Sequence, residues 1–283
     1  MERANLHIIH NGEIIQANSP VFTAANRAFS YGDAIFESLH ASGSEIQFAN
    51  DHFERLFKGI DALKIQVDFS QIKLLKEIHR LLNRDKLFGG VRIKIIVYRD
   101  AEGFFKPQNE KSGYVITCLP LENQHYYLNQ KGLQIGVYKE IKKPINFLSA
   151  FKTSSSLLNV MAGIYCNEQQ WDDCLIVNEQ NAIIESYHSN LFLVKKNVLF
   201  TPPLVQGCID GIMRKQIIKI ASLVNLKISE QIVISEELLP EADEIFLCNA
   251  IEGIRWVLAY KNRRYFNRTS KILSDKLNEI FIK

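Results

Sequence analysis

The sequence predicts an α+β protein of two domains, a small N-terminal α+β domain followed by a larger, strand-rich C-terminal one. Three observations lead there. Through the first 119 residues, short strands with turn dipeptides alternate with two amphipathic helices. The polar, proline-marked stretch "PLENQHYYLNQKG" then breaks the pattern. Beyond it strand signals return in longer runs, interrupted by two further helices. The expected boundaries are 1–119 for the first domain, 120–131 for the linker and 132–283 for the second.

Each element has a local reason. "LHIIHNGEIIQ" reads as a hairpin about Asn11-Gly12, because that dipeptide tolerates the positive φ of a two-residue hairpin turn. "AIFESLHASGSEIQFA" repeats the pattern about Ser42-Gly43. A helix follows, with Asp51 as its N-cap and Phe53, Leu56, Phe57, Ile60 and Leu63 apolar. "FSQIKLLKEIHRLLNRD" is the second helix, with Ile72, Leu75, Ile78, His79 and Leu82 near one face. "GGVRIKIIVYRD" and "SGYVITCLPL" complete the first domain as strands. In the second, "LQIGVYKE", "DCLIVNEQNAIIESYHSNLFLVKKNVLFTPP" and "EIFLCNAIEGIRWVLA" are strand-rich. One helix runs from the Ser154 region through Asn167, and another along "GIMRKQIIKIASLVNL", where Ile212, Ile217, Ile218, Ala221 and Val224 are apolar.

Composition narrows the function classes. A chain that is 47% hydrophobic and 23% charged fits a globular protein. A net charge of +3, with both signs interspersed, lacks the basic footprint of nucleic-acid or membrane-surface binding. No run approaches 18 apolar residues, and the first residues lack the long apolar core of a signal peptide. Five cysteines without a C-x-x-C pair imply reduced thiols in a cytoplasm, not a disulfide framework or a zinc site. The histidines are dispersed, with no H-E-x-x-H, so no metal is expected.

Four local features bear on chemistry. Lys152 lies between Phe151 and a threonine–serine run; a lysine becomes a nucleophile only when its ammonium is desolvated or crowded by positive charge. Most lysines are solvated charges instead. Glu185 interrupts the apolar strand "IIESYHSNLFLV", five residues before Asn190, and a carboxylate there needs a partner. The residues leave three alternatives: the carboxylate faces solvent, it is satisfied by a structural arginine, or it faces a ligand's protonated nitrogen. Gly207 and Gly211 bracket a turn that opens into a helix, with Asp210 available as a cap. The unpaired N–H groups of such a helix start suit a phosphate, although many helices begin this way and bind nothing. Arg55 sits inside the first helix, where an arginine is usually a surface charge.

Taken in order, these features resemble the fold-type IV pyridoxal-phosphate enzymes. That class IV aminotransferase family holds branched-chain aminotransferases, D-amino acid aminotransferases and 4-amino-4-deoxychorismate lyases. "NRAFSYGDAIFESL" resembles the family's R-x-F-x-Y-G-D-x-x-F-E block, and "DHFERLFKGIDAL" its H-x-x-R-L helix. "FKTSSSLLN" occupies the lysine segment, and "ESYHSNLFLVKKNVLFTPP" is similar to the E-x-x-x-x-N-[LI]-F…T-P-P block. "GCIDGIMR" resembles G-x-x-x-G-[IV]-x-R, and "ADEIFLCNAIEGIRWV" the last active-site loop.

The resemblance implies a D-amino acid aminotransferase-like fold, pyridoxal 5'-phosphate as cofactor and a homodimer acting on small amino-group substrates. Lys152 would be the catalytic lysine that carries the cofactor and moves the substrate proton. Glu185 would pair with the cofactor's ring nitrogen. Arg55, the N–H groups of Ile212 and Met213, and Asn249 with Ala250 would hold the phosphate, and Asn190 would be a further cofactor-binding residue. Tyr31, Phe36 and Arg99 match substrate-side positions, Arg99 as the carboxylate ligand. The threonines that the family often carries at two of these positions are Met213 and Ala250 here, which leaves only main-chain contacts. The implied reaction is transfer of an amino group between an amino acid and a 2-oxo acid. The alternative is the lyase reaction that releases pyruvate and 4-aminobenzoate, and a non-catalytic relative is the third reading. Glu252, in the "CNAIEGI" loop, would oppose a substrate carboxylate approaching there.

Overall fold

A computed structural model describes residues 6–281 and divides the chain into two compact units. The first comprises Met1–His125 together with Phe151–Ser155, and the second Tyr126–Ala150 together with Ser156–Lys283. The sequence reading instead kept all residues beyond the linker in one domain. The difference has a backbone cause. Phe36 N–H donates to the Lys152 carbonyl at 2.9 Å and Ser154 N–H to the Ala34 carbonyl at 2.9 Å, while Thr153 bridges Ile35 in antiparallel fashion. A five-residue segment is thereby added to a strand of the first unit.

The first unit starts with a hairpin of β1 (His7–His10) and β2 (Glu13–Gln16), turned by Asn11 and Gly12 at φ values of 50° and 91°. A short α1 (Arg27–Tyr31) is capped by Asn26, whose side chain accepts from Phe29 N–H. Then come β3 (Ala34–Ser42), β4 (Glu45–Ile46), α2 (Ala49–Ala62), α3 (Gln71–Arg84), β5 (Gly90–Arg99) and β6 (Ser112–Pro120). The sheet is antiparallel in the order β2-β1-β6-β5-β3-β4. Phe53 and Leu56 of α2 and Leu74, Ile78 and Leu81 of α3 pack with Ile35, Leu39, Ile93, Ile95 and Ile116 of the sheet. Alternation along β5 sends Val91, Ile93, Ile95 and Val97 into this core and Arg92 and Lys94 to the opposite face.

Two helix details differ from expectation. α2 begins three residues earlier than the sequence suggested, behind Phe48 at φ 55°, so Asp51 lies in the first turn and is not the N-cap. There its charge still complements the helix dipole. In α3, which Ser70 caps by accepting from Lys73 N–H, Ile72 is 65% exposed. It stands two residues, about 200° of helical rotation, from Leu74 on the buried stripe.

The second unit contains β7 (Leu133–Lys143), α4 (Leu157–Glu168), β8 (Asp173–Asn178), β9 (Ile183–Ser186), β10 (Asn190–Lys195) and β11 (Val198–Phe200). It continues through α5 (Ile212–Leu223), β12 (Lys227–Ser229), β13 (Glu244–Asn249), β14 (Gly253–Tyr260), β15 (Arg263–Arg264) and α6 (Arg268–Phe281). The strand order is β12-β11-β10-β13-β14-β7-β8-β9, with β15 on β14. β9 also pairs back onto β10, with Asn190 opposite Glu185, so six strands close into a ring. Its core includes Leu175, Val177, Leu191, Leu247 and Val257. The turn before α5 differs from expectation: Gly211 is the N-cap, and Asp210 instead pairs with Lys215 at 3.2 Å. The sequence reading did not name α6, whose buried stripe of Ser270, Leu273, Ser274 and Leu277 is half serine.

All five cysteines are free and buried. Among the described residues, no helix is long and apolar enough to cross a membrane.

Candidate active site

In the first unit, β3 exposes different chemistry on its two faces. Glu37 points toward α2 and Phe36 points away, as strand alternation requires. The Glu37 carboxylate accepts from Arg55 Nε through one oxygen and from Arg55 Nη2 through the other, each at 2.7 Å. It also meets His52 Nδ1 at 2.7 Å. Burial alone would raise the Glu37 carboxyl, but the Arg55 charge and the bonds from His52 and Arg55 outweigh it and hold it at about 2. Burial lowers the His52 pKa, and the nearby Arg55 and Lys152 charges push it the same way. His52 Nε2 is buried without a hydrogen-bond partner. Arg55 is therefore a buried, pre-oriented guanidinium.

On the opposite face, the Phe36 ring carries two ammonium groups. Lys152 Nζ lies 4.7 Å from its centroid and Lys94 Nζ 4.8 Å. Lys94 is a residue that the sequence reading missed. Burial, followed by the Arg92 charge, lowers its pKa. Neither Lys94 nor Arg92 makes an ion pair among the described residues. The available signal was the alternation of β5, which puts both cations on the face away from the core.

Tyr31 ends α1, with the Arg27 guanidinium 5.1 Å from its ring centroid and Phe105 beside it. Arg99 departs from its expected role. Its Nε donates to Asp33 at 3.0 Å, Nη1 to the Lys64 carbonyl at 3.0 Å and Nη2 to the Leu63 carbonyl at 2.5 Å. All three guanidinium nitrogens are committed to protein groups, and the residue is buried. These three bonds pin the end of β5.

In the second unit, Glu185 is 3% exposed at the end of β9. One carboxylate oxygen accepts from Lys143 Nζ at 2.6 Å, the other from Ile209 N–H at 2.8 Å. Asn190 Nδ2 donates to the Ile209 carbonyl at 2.9 Å. Asn190 is thus a strut between β10 and the turn that starts α5. A Cβ added at Gly211 would fall 1.8 Å from Asn190 Oδ1, so only glycine lets the turn lie this close. Gly211 supplies no side-chain cap, and the helix opens with Ile212 and Met213, both buried.

A second cluster adjoins this one through Ser189, whose hydroxyl accepts from Asn249 Nδ2 at 3.0 Å. Asn249 Oδ1 accepts from the N–H groups of Ile251 and Glu252, both at 2.9 Å, which shapes the β13–β14 loop. The Ala250 carbonyl accepts from Tyr126 OH at 3.0 Å. Glu252 accepts from Asn249 and Arg255 and lies 3.4 Å from His188 Nε2. Burial would raise the Glu252 carboxyl, but His188, Asn249 and Arg255 hold it at about 2.

A buried acid and a glycine-started helix with no side-chain cap, joined through Ile209 and Asn190, suit a ligand that carries a basic ring nitrogen and a phosphate. A cofactor of the pyridoxal phosphate type fits these residues.

A profile of the family described as amino-transferase class IV matches residues 34–260. The chain belongs to the class IV aminotransferase family. It is an aminotransferase-type enzyme, and pyridoxal phosphate is the family's cofactor. The branched-chain-amino-acid aminotransferase of Escherichia coli strain K12 is 25% identical over 252 residues, 85% of this chain and 80% of the relative. The aminodeoxychorismate lyase of Vibrio harveyi is 26% identical over 231 residues, 81% of this chain and 83% of the relative. Among solved structures, the branched-chain aminotransferase from Thermoproteus uzoniensis with norvaline superimposes with a TM-score of 0.86 at 21% identity. That match covers 96% of this chain and 93% of the other, and it establishes a shared fold.

Proposed function

We propose that this class IV aminotransferase moves an amino group between an amino acid and a 2-oxo acid. The observation that carries the proposal is Glu185, a buried carboxylate tied through Ile209 and Asn190 to the glycine-started helix. When bound, the cofactor makes the proton on the substrate's α-carbon acidic by withdrawing electrons. The chain's own residues then have separate tasks. Glu185 would hold a proton on the ring nitrogen. Arg55, fixed by Glu37, would hold the phosphate together with the N–H groups of Ile212 and Met213, and the Asn249–Ala250 turn would add a main-chain contact. Lys152 would anchor the cofactor and move the proton at the substrate's α-carbon. Tyr31 and Phe36 would bound the substrate. Lys94, with Arg92 behind it, would take a substrate carboxylate in place of Arg99.

A second reading has its own support. The Asn249 side chain already takes two N–H groups of the β13–β14 loop, and Glu252 adds an acid there. A substrate carboxylate at that loop is disfavoured, which suits the lyase reaction that releases pyruvate and 4-aminobenzoate. Incubation with aminodeoxychorismate, and separately with amino acids plus 2-oxoglutarate, distinguishes the two. The transaminase reading requires a new amino acid in the second mixture; pyruvate in the first mixture alone overturns it. Lys152→Ala should abolish the cofactor's visible absorbance band, and retention of the band would sink the lysine assignment.

The working form we propose is a cytoplasmic homodimer. α4 leaves Leu157, Val160, Met161 and Ile164 exposed at i, i+3, i+4 and i+7, a continuous apolar stripe. A second copy of the chain is the proposed cover. Five reduced thiols fit a reducing compartment.

A further inference from the structure

Lys143 lies outside every motif that the sequence singled out, yet it touches the acid on which the proposed chemistry depends. It is the last residue of β7 and is largely buried. Its ammonium donates to Glu185 at 2.6 Å and to the Ser149 carbonyl at 3.1 Å. The loop after β7 is otherwise held by its own bonds: Asn146 N–H donates to Ser149 Oγ at 3.0 Å, and Ser149 Oγ to the Pro144 carbonyl at 2.8 Å. Three residues past Ser149 the chain reaches Lys152. One ammonium thus braces both the acid and the loop that delivers the lysine.

The electrostatic consequence is specific. A carboxylate beside a single cation holds a proton on a neighbouring base more firmly than one already shared with a second cation. The other ionisable groups around Glu185 do not cancel this influence. The Cys208 thiol on the turn before α5 is pushed up to about 12, mainly by burial, and is neutral. Arg214 of α5 is paired with Glu230 at 2.7 Å. Ile209 contributes only an N–H group.

We propose that Lys143 is a positioning residue: it shares Glu185 with the cofactor's ring nitrogen, fixes the carboxylate's orientation and limits how firmly that nitrogen keeps its proton. This rests on the reading that Glu185 serves the ring nitrogen, and the experiment separates the two. Full-length wild type, Lys143→Gln, Lys143→Arg and Glu185→Gln are reconstituted with ring-¹⁵N pyridoxal phosphate, and the pyridine ¹⁵N chemical shift is followed with pH. Lys143→Gln should move the shift toward the protonated limit, equivalent to a titration midpoint higher by on the order of one pH unit. Lys143→Arg should stay near wild type. A purely structural role would lower thermal stability and leave the ¹⁵N shift unmoved. Identical shifts in wild type and Lys143→Gln overturn the proposal. If Glu185→Gln also leaves the nitrogen unchanged, it is the assignment of Glu185 that fails. Lys143→Met, which keeps the aliphatic stem, provides a second neutral variant if the glutamine protein does not fold.

Discussion

Arg55 and Glu37 meet edge to edge, with Nε and Nη2 each 2.7 Å from a different carboxylate oxygen. The pair joins α2 to β3, so the geometry of the guanidinium is set by the packing of helix on sheet and not by a flexible side chain. A bidentate contact fixes orientation as well as distance. That is how an arginine at a helix position usually given to surface charge becomes a buried guanidinium of fixed orientation.

Removing the Glu37 charge should therefore be costly. Glu37→Gln leaves the Arg55 charge buried beside a neutral group, at an expected cost of 3–5 kcal/mol near neutrality, roughly what breaking a buried pair costs. The carboxyl is held at about 2 against its ordinary 4.5, so its stabilising contribution is complete above 4.5 and is lost as pH falls through about 2. Burial of neutral His52 works in the same direction, because the unfolded chain takes up its proton first as pH falls below 6.5. Urea melts at pH 7 and pH 2.5 should show a large deficit for the variant at the first and a small one at the second. Equal deficits at both would mean that the ion pair is not the source.

Much of the fold follows from local rules, and the exceptions have long-range causes. Asn11-Gly12 turns its hairpin because its φ requirements are local, and the strands show themselves by alternation. α6 escaped because serine supplies half of its buried stripe. The Lys152 segment joins the first unit through the Lys152 carbonyl, which accepts from Phe36 N–H, and through Ser154 N–H, which donates to Ala34, partners more than a hundred residues upstream. Arg99 has the right side chain for a carboxylate, but Asp33 and the carbonyls of Leu63 and Lys64 occupy it. Lys94 looks like any strand lysine until the Phe36 ring brings it near Lys152.

Gly211→Ala tests the close approach at α5. The new Cβ would meet Asn190 Oδ1 at 1.8 Å and Cγ at 2.9 Å, and Asn190 is buried and bonded to Ile209. Its amide must swing away, loosening the turn that donates to Glu185. Cofactor affinity, measured by fluorescence titration, should fall about tenfold, which corresponds to 1.4 kcal/mol. Gly89→Ala is the control, because its added Cβ meets nothing within 4 Å. Similar affinities for both variants would remove Gly211 from the cradle.

The exposed stripe on α4 predicts an assembly defect. Leu157 is 71% exposed at the start of a helix whose opposite side buries Ala162 and Cys166. Val160→Asp should convert a dimer into monomers by light scattering while leaving the monomer folded. Ile72→Asp, at an exposed apolar position on α3, should leave the assembly intact. A dimer that survives Val160→Asp places the interface elsewhere.

Lys94 and Arg99 should separate by kinetics. Lys94→Met should raise KM for a dicarboxylic 2-oxo acid by about ten- to a hundredfold, the value of one charged hydrogen bond. Its kcat should change much less, because a carboxylate contact made equally before and during the proton transfer contributes uniform binding. Arg99→Met, which leaves Asp33 to Arg27 and strips the Leu63 and Lys64 carbonyls of this donor, should instead lower the melting temperature. The opposite pattern would return the carboxylate to Arg99.

Asp173 carries the last prediction. It opens β8 in a buried position, where Oδ1 accepts from Cys174 N–H at 2.7 Å and Oδ2 from Ser186 Oγ at 3.3 Å. His188 Nδ1 stands 3.6 Å away, with Glu252 on its far side. Burial raises the Asp173 carboxyl to about 6, with Glu252 adding to the rise; His188 and the hydrogen bonds offset only part of it. A raised folded-state value means that the protonated form is preferred. The contribution is therefore complete below the ordinary 3.8 and is lost as pH rises through about 6. The gap between 3.8 and about 6 corresponds to roughly 3 kcal/mol, an upper bound on what the charge costs above pH 6. Asp173→Asn removes that charge. Its melting temperature relative to wild type should climb between pH 4 and pH 6, most steeply near pH 5 where only the folded-state carboxyl holds its proton, and level off above 6. A difference that stays flat across that range means that His188 compensates the carboxylate fully and that the buried charge costs nothing.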